Sequence, residues 1–295
     1  MQWGQIKTLF ILCFLILDIF LIQQFLVSRE PDIPYLPEST VEEIVKTNIK
    51  GVEDIPTETT QASYLYASRK QFTEEEKAMV SSFTNQETEI VNNNLIVSLF
   101  KEPLAYNQDN PSDILPNYVL YSDQYVYWGK NDASNTLIYF QKSDDKPIYY
   151  NSGGILLIFL NEEGEMVQYV QTMLTKEEDE EDQYDLINAF DAVTYLYRSN
   201  SLIEEDEITD YRIGYHTVIP LYDGVQVFAP AWKITVNGQK NYIVNAIEGH
   251  SYPKTDNVFI SETIDEFLQV MEEKQEPSSL LSKTINRLTT IMESD

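Results

Sequence analysis

The strongest hydrophobic pattern in the chain is an almost unbroken apolar segment near its N-terminus, residues 8–27 (TLFILCFLILDIFLIQQFLV). A helix rises about 1.5 Å per residue, so a segment of this length matches the roughly 30 Å hydrocarbon core of a membrane. The pattern therefore predicts one transmembrane helix over 8–27. A cleaved signal peptide is the competing interpretation, but cleavage requires small residues at the exit, and residues 23–27 (QQFLV) provide none.

Charges around this segment predict its orientation. Lys7 precedes it, whereas Arg29 on the other side is followed at once by Glu30. Because basic residues are retained on the cytoplasmic side, we expect residues 1–7 to form a cytoplasmic tail and everything beyond residue 27 to be extracellular. The predicted location is the cell membrane, in a single-pass arrangement.

One carboxylate, Asp18, lies in the middle of the predicted transmembrane helix. Acidic residues at this depth are costly and usually face a protein partner rather than lipid. Helical spacing places Asp18 on a stripe of apolar side chains, which we expect to pack against another membrane helix. The predicted partner-binding stripe consists of Ile11, Phe14, Leu15, Asp18, Leu21, Ile22 and Phe25. The alternative is a protonated aspartic acid that an otherwise apolar segment tolerates.

Beyond the apolar segment, the pattern divides the chain into a spacer, two domains and a tail. Pro31, Pro34 and Pro37 make residues 28–38 a stiff, extended spacer. The stretch 106–116 (YNQDNPSDILP) is polar, contains proline and has no periodicity, which is typical of a domain boundary. We therefore expect external domains at 39–110 and 111–252, followed by a C-terminal helical tail at 253–295.

In the first external domain, periodicity predicts a short helix, two strands and a second helix. Thr40 and Glu43 have the spacing of a capping box at the start of the first helix, and Gly51 ends it. Strands are expected over Ser63–Phe72 and Thr88–Phe100, with a helix over Thr73–Ser82 between them.

The second external domain alternates between two strand-rich regions and one helix, which is expected over about 182–197. Turn signals at residues 161–164 and at Asn237-Gly238 connect neighbouring strands. The strands, rich in aromatic and β-branched residues, are expected at 118–128, 136–141, 154–160, 165–173, 208–220, 225–230, 232–236 and 241–247. The predicted fold class is α+β, with a single N-terminal transmembrane helix followed by two external α+β domains that contain antiparallel sheets.

The C-terminal tail contains two amphipathic stretches. Thr263 and Glu266 have capping-box spacing ahead of a helix that extends to Glu273, and residues 281–292 carry apolar side chains at helical intervals. Docking of these helices on the chain's own domain is the favoured interpretation, and binding to a partner is the alternative.

Charge and cysteine content narrow the classes of partner. The 295 residues include 48 Asp and Glu against 20 Lys and Arg, a net charge of −28. Such a surface repels nucleic acid, so no nucleic-acid partner is expected, and solubility is the simplest role of the charge. The single cysteine, Cys13, lies in the predicted membrane segment, so the external part is expected to fold without disulfides, as on a bacterial surface.

Candidate catalytic groups are few, and none has the spacing of an active site. His216 and His250 lack neighbouring metal-ligand motifs, and Ser152 lies in a predicted turn rather than in a Gly-x-Ser-x-Gly elbow. The acidic run 177–182 lacks the alternating ligands of an EF-hand and is better explained as a solvated linker. We therefore expect no catalytic residue, no metal and no cofactor, and predict that the protein is not an enzyme.

Aromatic residues are concentrated in the first strand-rich region. Tyr125, Tyr127 and Trp128 form a candidate ligand surface for wall fragments or peptides. Alternating aromatic residues on strands more often form a core and cross-strand pairs, and this interpretation is the favoured one.

Three blocks of the sequence resemble the YycI (WalI) family of Gram-positive bacteria. The first is the opening MQWGQIKTLFILCFLILDIFLI, with Trp3, Lys7 and Asp18. The others are YYNSGGILLIFLNEEGEMVQYVQTML at 149–174 and DYRIGYHTVIPLYDGVQVFAPAWKITVNGQKNYIVNAIEG at 210–249. The resemblance covers most of the chain and weakens between 51 and 108 and beyond 252.

The resemblance implies a membrane-anchored accessory regulator of the YycFG (WalRK) two-component system, which controls cell-wall metabolism. Its implied partners are the sensor histidine kinase YycG (WalK) and a YycH-type companion protein, contacted in the membrane and above it. The sign of the effect on the kinase does not carry over between species. An envelope-sensing module that binds wall fragments or peptides is the alternative function.

Overall fold

The computed structural model describes residues 3–27, 40–177, 182–221, 223–252, 255–274 and 276–294. Residues 1–44 and residues 45–295 form two separate compact units. The first contains helix α1 (Trp3–Val27), and helix α2 (Val41–Asn48) spans the division between them. The predicted spacer at 28–38 lies outside the described residues.

Helix α1 covers the whole apolar segment that the sequence singles out. Within the described part of the chain, no helix meets the combined length and hydropathy of a membrane span. The helical state of residues 8–27 is thus confirmed, and the crossing of a membrane stays a prediction.

The predicted capping box at the start of α2 is confirmed. The Thr40 backbone N–H donates to Glu43 Oε2 at 3.0 Å, and the Glu43 N–H donates to Thr40 Oγ1 at 3.3 Å. Thr73 and Glu76 form the same box ahead of the next helix. Each box satisfies backbone donors that a helix N-terminus otherwise leaves without partners.

The remaining elements are long runs of mostly antiparallel strands with a few helices between and after them, as in an α+β fold, which confirms that part of the predicted fold class. In chain order they are β1 (Gln61–Ala62), β2 (Leu65–Arg69), α3 (Glu74–Ser81), β3 (Gln86–Val91), β4 (Leu95–Leu104), β5 (Tyr125–Asn131), β6 (Thr136–Ser143), β7 (Lys146–Tyr149), β8 (Ile155–Leu160), β9 (Met166–Gln171), β10 (Leu174–Lys176), β11 (Tyr184–Asp185), α4 (Ala189–Arg198), β12 (Ile208–His216), β13 (Val225–Val236), β14 (Lys240–Asn245), β15 (Ser251–Tyr252), α5 (Asp256–Glu272) and α6 (Ser279–Ser294).

An antiparallel sheet in the order β5-β6-β8-β9-β4-β3 forms the centre of the larger unit. All six residues of β8 are buried, as expected for the apolar run 155–160. On one face of this sheet, side chains of α5 and α6 join the core. On the other face, the core includes Val80 of α3 and the irregular segment around Leu115 and Leu120.

The second strand-rich region is connected to this sheet through a parallel pair. β12 pairs with β7 in parallel and with the long strand β13 in antiparallel orientation. The N-terminal half of β13 pairs with β2, and its C-terminal half pairs with β14. Because β2 precedes residue 110 and β13 follows it, the two predicted external domains share backbone hydrogen bonds, as do β4 and β9.

Two predicted strands differ from the observed ones because of local turn chemistry. The range 88–100 is a hairpin, β3 and β4, whose turn places Asn92 and Asn93 at φ of 46° and 60°. Asparagine tolerates this left-handed conformation, so the chain reverses there. The range 118–128 begins with a short 3₁₀ turn at Ser122–Gln124, and its strand starts only at Tyr125.

The C-terminal helices dock on the chain's own core, as favoured from the sequence. The capping residue is however Thr255, whose side chain accepts from the Val258 N–H, and not the predicted Thr263. Thr263 is buried inside α5 because the helix begins a full two turns earlier. Buried apolar side chains from both helices include Phe259, Ile264, Phe267, Leu281 and Leu288.

Truncation of one of these side chains tests whether the tail is part of the core. Phe267→Ala should lower the free energy of unfolding by about 3–5 kcal/mol, because it opens a cavity where 1% of the side chain is exposed. Unfolding of the purified chain in detergent, followed by tryptophan fluorescence, measures the effect. Val258→Ala on the same helix is the matched control, since Val258 is 51% exposed and should change little. Equal effects of the two substitutions would contradict a docked tail.

Candidate partner-binding sites

The predicted partner-binding stripe lies on α1, inside the smaller unit. Helical geometry repeats at about 100° per residue, so positions 11, 14, 15, 18, 21, 22 and 25 fall along one side of it. The side chains of Ile11, Phe14, Leu15, Asp18, Leu21 and Ile22 are all exposed, and the side chain of Phe25 lies outside the described residues. The stripe therefore offers a carboxylate within an apolar surface, and its use by a partner stays a prediction.

The three candidate aromatic residues do not share one surface. Tyr125 is buried with only 5% of its side chain exposed, and its hydroxyl donates to the Thr172 carbonyl at 2.6 Å. Burial raises the pKa of this phenol well above its usual value. Tyr127 packs on Tyr139, in the same core as Tyr125.

Trp128 belongs to the opposite core, because consecutive side chains along a strand point to opposite faces of the sheet. Its ring packs against Phe140 and Tyr150 at centroid distances of 4.9 and 5.5 Å. The aromatic cluster is therefore divided between the two faces of the sheet, as a core would be. A ligand surface formed by Tyr125, Tyr127 and Trp128 stays a prediction that this division does not support.

Asp256, the first residue of α5, connects the tail to this aromatic cluster. Its Oδ1 accepts hydrogen bonds from Trp128 Nε1 at 3.0 Å and from the Tyr150 hydroxyl at 2.9 Å. Burial, and next the charge of Asp256, raise the pKa of Tyr150 far above its usual range, so the phenol stays a hydrogen-bond donor. A carboxylate is also favoured at a helix N-terminus by the partial positive charge there. The cluster thus fixes the start of α5 on the sheet.

A second polar cluster fixes the middle of α5. Arg69 of β2 forms an ion pair with Glu266, and only 7% of the Arg69 side chain is exposed. Ser152 bridges the pair, because its hydroxyl donates to Glu266 Oε2 at 2.6 Å and accepts from Arg69 Nη2 at 3.0 Å. The predicted capping role of Glu266 is therefore wrong, since this carboxylate faces the sheet from mid-helix. Ser152 is likewise engaged in a structural bridge.

The two histidines have different environments. His216 is buried, and its Nδ1 lies 3.1 Å from the Tyr149 carbonyl, whereas His250 is exposed. Among the residues that the structure describes, no group of three or more His, Cys, Asp or Glu side chains is placed to hold a metal ion.

One cavity of about 410 Å³ opens beside the turn between β6 and β7. Its floor consists of the buried apolar residues Leu65, Ala67, Ile148 and Leu174. Its rim carries Lys142 and Lys176, which are already paired with Asp145 at 2.9 Å and with Asp144 at 3.1 Å. Both aspartates adopt positive φ in the hairpin turn. This cavity lies within the usual size range of small-molecule sites, about 300–1,000 Å³.

Sequence reasoning missed the two clusters that attach α5 because their partners are far apart along the chain. Arg69 and Glu266 are separated by 197 positions, and no local pattern links them. The turn 151–154, interpreted only as a turn, brings Ser152 between them. The available sequence signal was Arg69 near the end of a predicted strand. If that strand is buried, its arginine requires a partner of opposite charge.

These features define an α+β protein whose described polar clusters join helices to a sheet. Comparison with known proteins then gives its family: the model described as "YycI protein" matches residues 34–247, and the chain belongs to the YycI family. Members are regulatory accessory proteins of the YycG (WalK) two-component system and are associated with the membrane. The resemblance seen in the sequence is confirmed.

No curated protein matches the chain. Among solved structures, the Bacillus megaterium YpeB C-terminal domain matches at 10% identity with a TM-score of 0.39, covering 62% of this chain and 97% of its own.

A double-mutant cycle measures how strongly the second cluster holds α5. Glu266→Ala removes the carboxylate that pairs with the buried Arg69 guanidinium, so the free energy of unfolding should fall by about 2–4 kcal/mol. Adding Arg69→Met should recover part of this loss, because the buried positive charge is then removed as well. Denaturant unfolding of each variant gives the values. The control is Glu205→Ala in the Lys50–Glu205 pair, whose side chains are 62% and 80% exposed and where little change is expected. Loss of equal size in control and test would contradict the assignment.

Proposed function

We propose that this protein is a single-pass accessory regulator of the YycG (WalK) kinase, acting with a YycH-type companion through contacts in the membrane and outside it. The N-terminus is cytoplasmic and the larger unit is extracellular in this proposal. The supporting observation is the exposed Asp18 carboxylate within the exposed apolar stripe of α1. In a bilayer such a residue is stabilised by a protein partner, and a kinase with its own membrane helices offers one.

The physical mechanism is a bias between signalling states of the kinase. The α1 stripe packs against kinase and companion helices, while the larger unit contacts the kinase complex outside the membrane. The regulator shifts the kinase only by the difference between its interaction free energies with the two states. Either sign of regulation is compatible with this mechanism.

Replacement of Asp18 tests the membrane part of the proposal. Asp18→Leu should reduce co-purification of the kinase with the full chain by about threefold to thirtyfold, because an intramembrane polar contact contributes about 0.6–2 kcal/mol. Quantitative pull-down from detergent-solubilised membranes measures the change. Ile16→Leu is the matched control, since residue 16 lies about 200° around the helix from residue 18. Unchanged recovery together with unchanged kinase output would exclude a role for the stripe.

Deletion of the extracellular part tests where regulation resides. A chain reduced to residues 1–35 should keep co-purifying with the kinase through α1, and kinase output in cells should lose the regulation that depends on the extracellular unit. Transcription of a kinase-controlled reporter measures this output. Full regulation by the truncated chain would assign the whole function to the helix, and loss of co-purification would contradict α1 as the main contact.

A further inference from the structure

Exposed apolar side chains are concentrated at the loop between β12 and β13. Ile219 is 72% exposed, and Val218, Leu221, Val225 and Val227 are each between 44% and 56% exposed. Val218 and Ile219 lie together with Val227, and a large exposed apolar patch of this kind usually marks a binding surface. We call these five residues the apolar patch.

The patch arises from the alternation of side chains along β13. Val225 and Val227 point to one side of the strand, whereas Gln226 and Phe228 are buried on the other side. Exposure on the first side falls from 49% at Val225 to 1% at Ala231, where the strand reaches the core that includes Phe259 of α5. The side chains that cover this side of β13 at Ala231 therefore no longer cover it at Val225. The apolar patch begins where this covering layer ends.

A groove of about 250 Å³ marks this boundary. Its floor consists of Val227, Ala229 and Ala231. Because the two alanine side chains are small, the groove is deep at these positions. Its walls are the rings of Tyr64 and Tyr252 and the loop residues Val218 and Ile219. Binding energy at protein interfaces is concentrated where one side chain fills such a pocket. His216, Thr217 and Asn245 complete the lining, so the groove combines a predominantly apolar surface with three polar side chains, and its volume admits a branched aliphatic side chain.

Three carboxylates lie near the patch, and we call them its acidic rim. Glu177 accepts a hydrogen bond from Ser68, which lies directly opposite Val225 in the β2–β13 pairing. Tyr64 lines the groove, and Glu248 lies close enough to it that its charge, after the larger effect of burial, raises the pKa of the Tyr64 phenol. Asp223 precedes Val225 by two residues. The patch is thus an apolar centre within an acidic rim.

The charge around the apolar patch distinguishes between its possible binding partners. A second copy of the chain would bring the same acidic rim and the same net charge of −28 against the patch. Anionic lipid and nucleic acid are repelled for the same reason. A basic protein surface is attracted, and complementary charge around an apolar centre gives both speed and specificity of association.

We propose that the groove at Val227, Ala229 and Ala231 is a docking site for a protein segment that presents an aliphatic side chain flanked by Lys or Arg. The segment belongs to a partner within the kinase complex, so this inference rests on the proposed function and identifies the extracellular contact within it.

Site-specific photo-crosslinking tests the docking site in the full chain. p-Benzoylphenylalanine replaces Ile219 in cells that also produce the kinase and the companion, and irradiated adducts are identified by mass spectrometry. We expect an adduct between position 219 and one of these two proteins, at a peptide with Lys or Arg beside an aliphatic residue. Ile203 is the matched control, since it is an isoleucine 69% exposed outside the patch, and it should give no such adduct.

A second variant tests the groove itself. Val227→Asp, introduced together with the crosslinker at 219, should abolish the adduct, because it places a charge on the groove floor. A dimer of this chain, an adduct with lipid, an adduct with an acidic peptide, the same yield from 203, or no adduct would each overturn the docking proposal. Kinase recovery through α1 is measured on the same samples: if it persists while the adduct is absent, only the docking site fails, and if it is absent from the wild-type chain, the proposed function itself fails.

Discussion

The fold depends on burying both faces of one strand. β8 carries six consecutive buried residues, so apolar side chains must cover it from above and below. Its neighbours β6 and β9 saturate the backbone hydrogen bonds along its edges. One face is completed by local chain, since α3 and the segment around Leu120 come from the preceding half of the sequence. The core on the other face includes α5 and α6 from the end of the chain, together with Ala231 and Ile243.

That dependence on distant helices explains the two polar clusters. α5 has a broad apolar face, and apolar packing alone is non-directional, so it tolerates sliding of a helix along a sheet. Asp256 receives hydrogen bonds from Trp128 and Tyr150 at the start of the helix, and Glu266 meets Arg69 and Ser152 nearly three turns later. Two directional contacts at separated points of one helix define its position along the sheet. The family match ends at residue 247, yet the core of this chain requires the residues that follow.

Sequence reasoning succeeded where the determinants are local. The capping box at Thr40 predicted one helix start, periodicity predicted the helix over Thr73–Ser82, and the uniformly apolar run 155–160 predicted a central strand. It failed at Thr263, because an identical local spacing occurs inside a longer helix whose true start, Thr255, lacks the matching glutamate. It also divided β13 at Pro230, although the strand continues through it.

For the candidate sites, too, local spacing could be predicted from the sequence, whereas packing between distant segments could not. The α1 stripe rests on helical spacing alone, and its use by a partner stays a prediction. The aromatic group at Tyr125, Tyr127 and Trp128 depends on tertiary packing: alternation along the strand places Tyr127 and Trp128 on opposite faces, but it does not report that a separate core covers each face.

One side of β13 is exposed at Val225 and Val227, whereas the other side is buried. This exposed apolar side raises the question of how the protein avoids self-association. The patch around Val227 is an aggregation hazard if it is exposed at all times, since β-branched residues beside a strand invite pairing with other copies. The surrounding carboxylates oppose this outcome, because bringing two acidic rims together costs electrostatic free energy that a basic partner instead recovers. The large negative charge, which the sequence alone explains as a means of solubility, thereby gains a second role: it keeps an apolar docking surface available while rejecting copies of the same chain. Selectivity in this arrangement comes as much from repulsion of the wrong partner as from attraction of the right one.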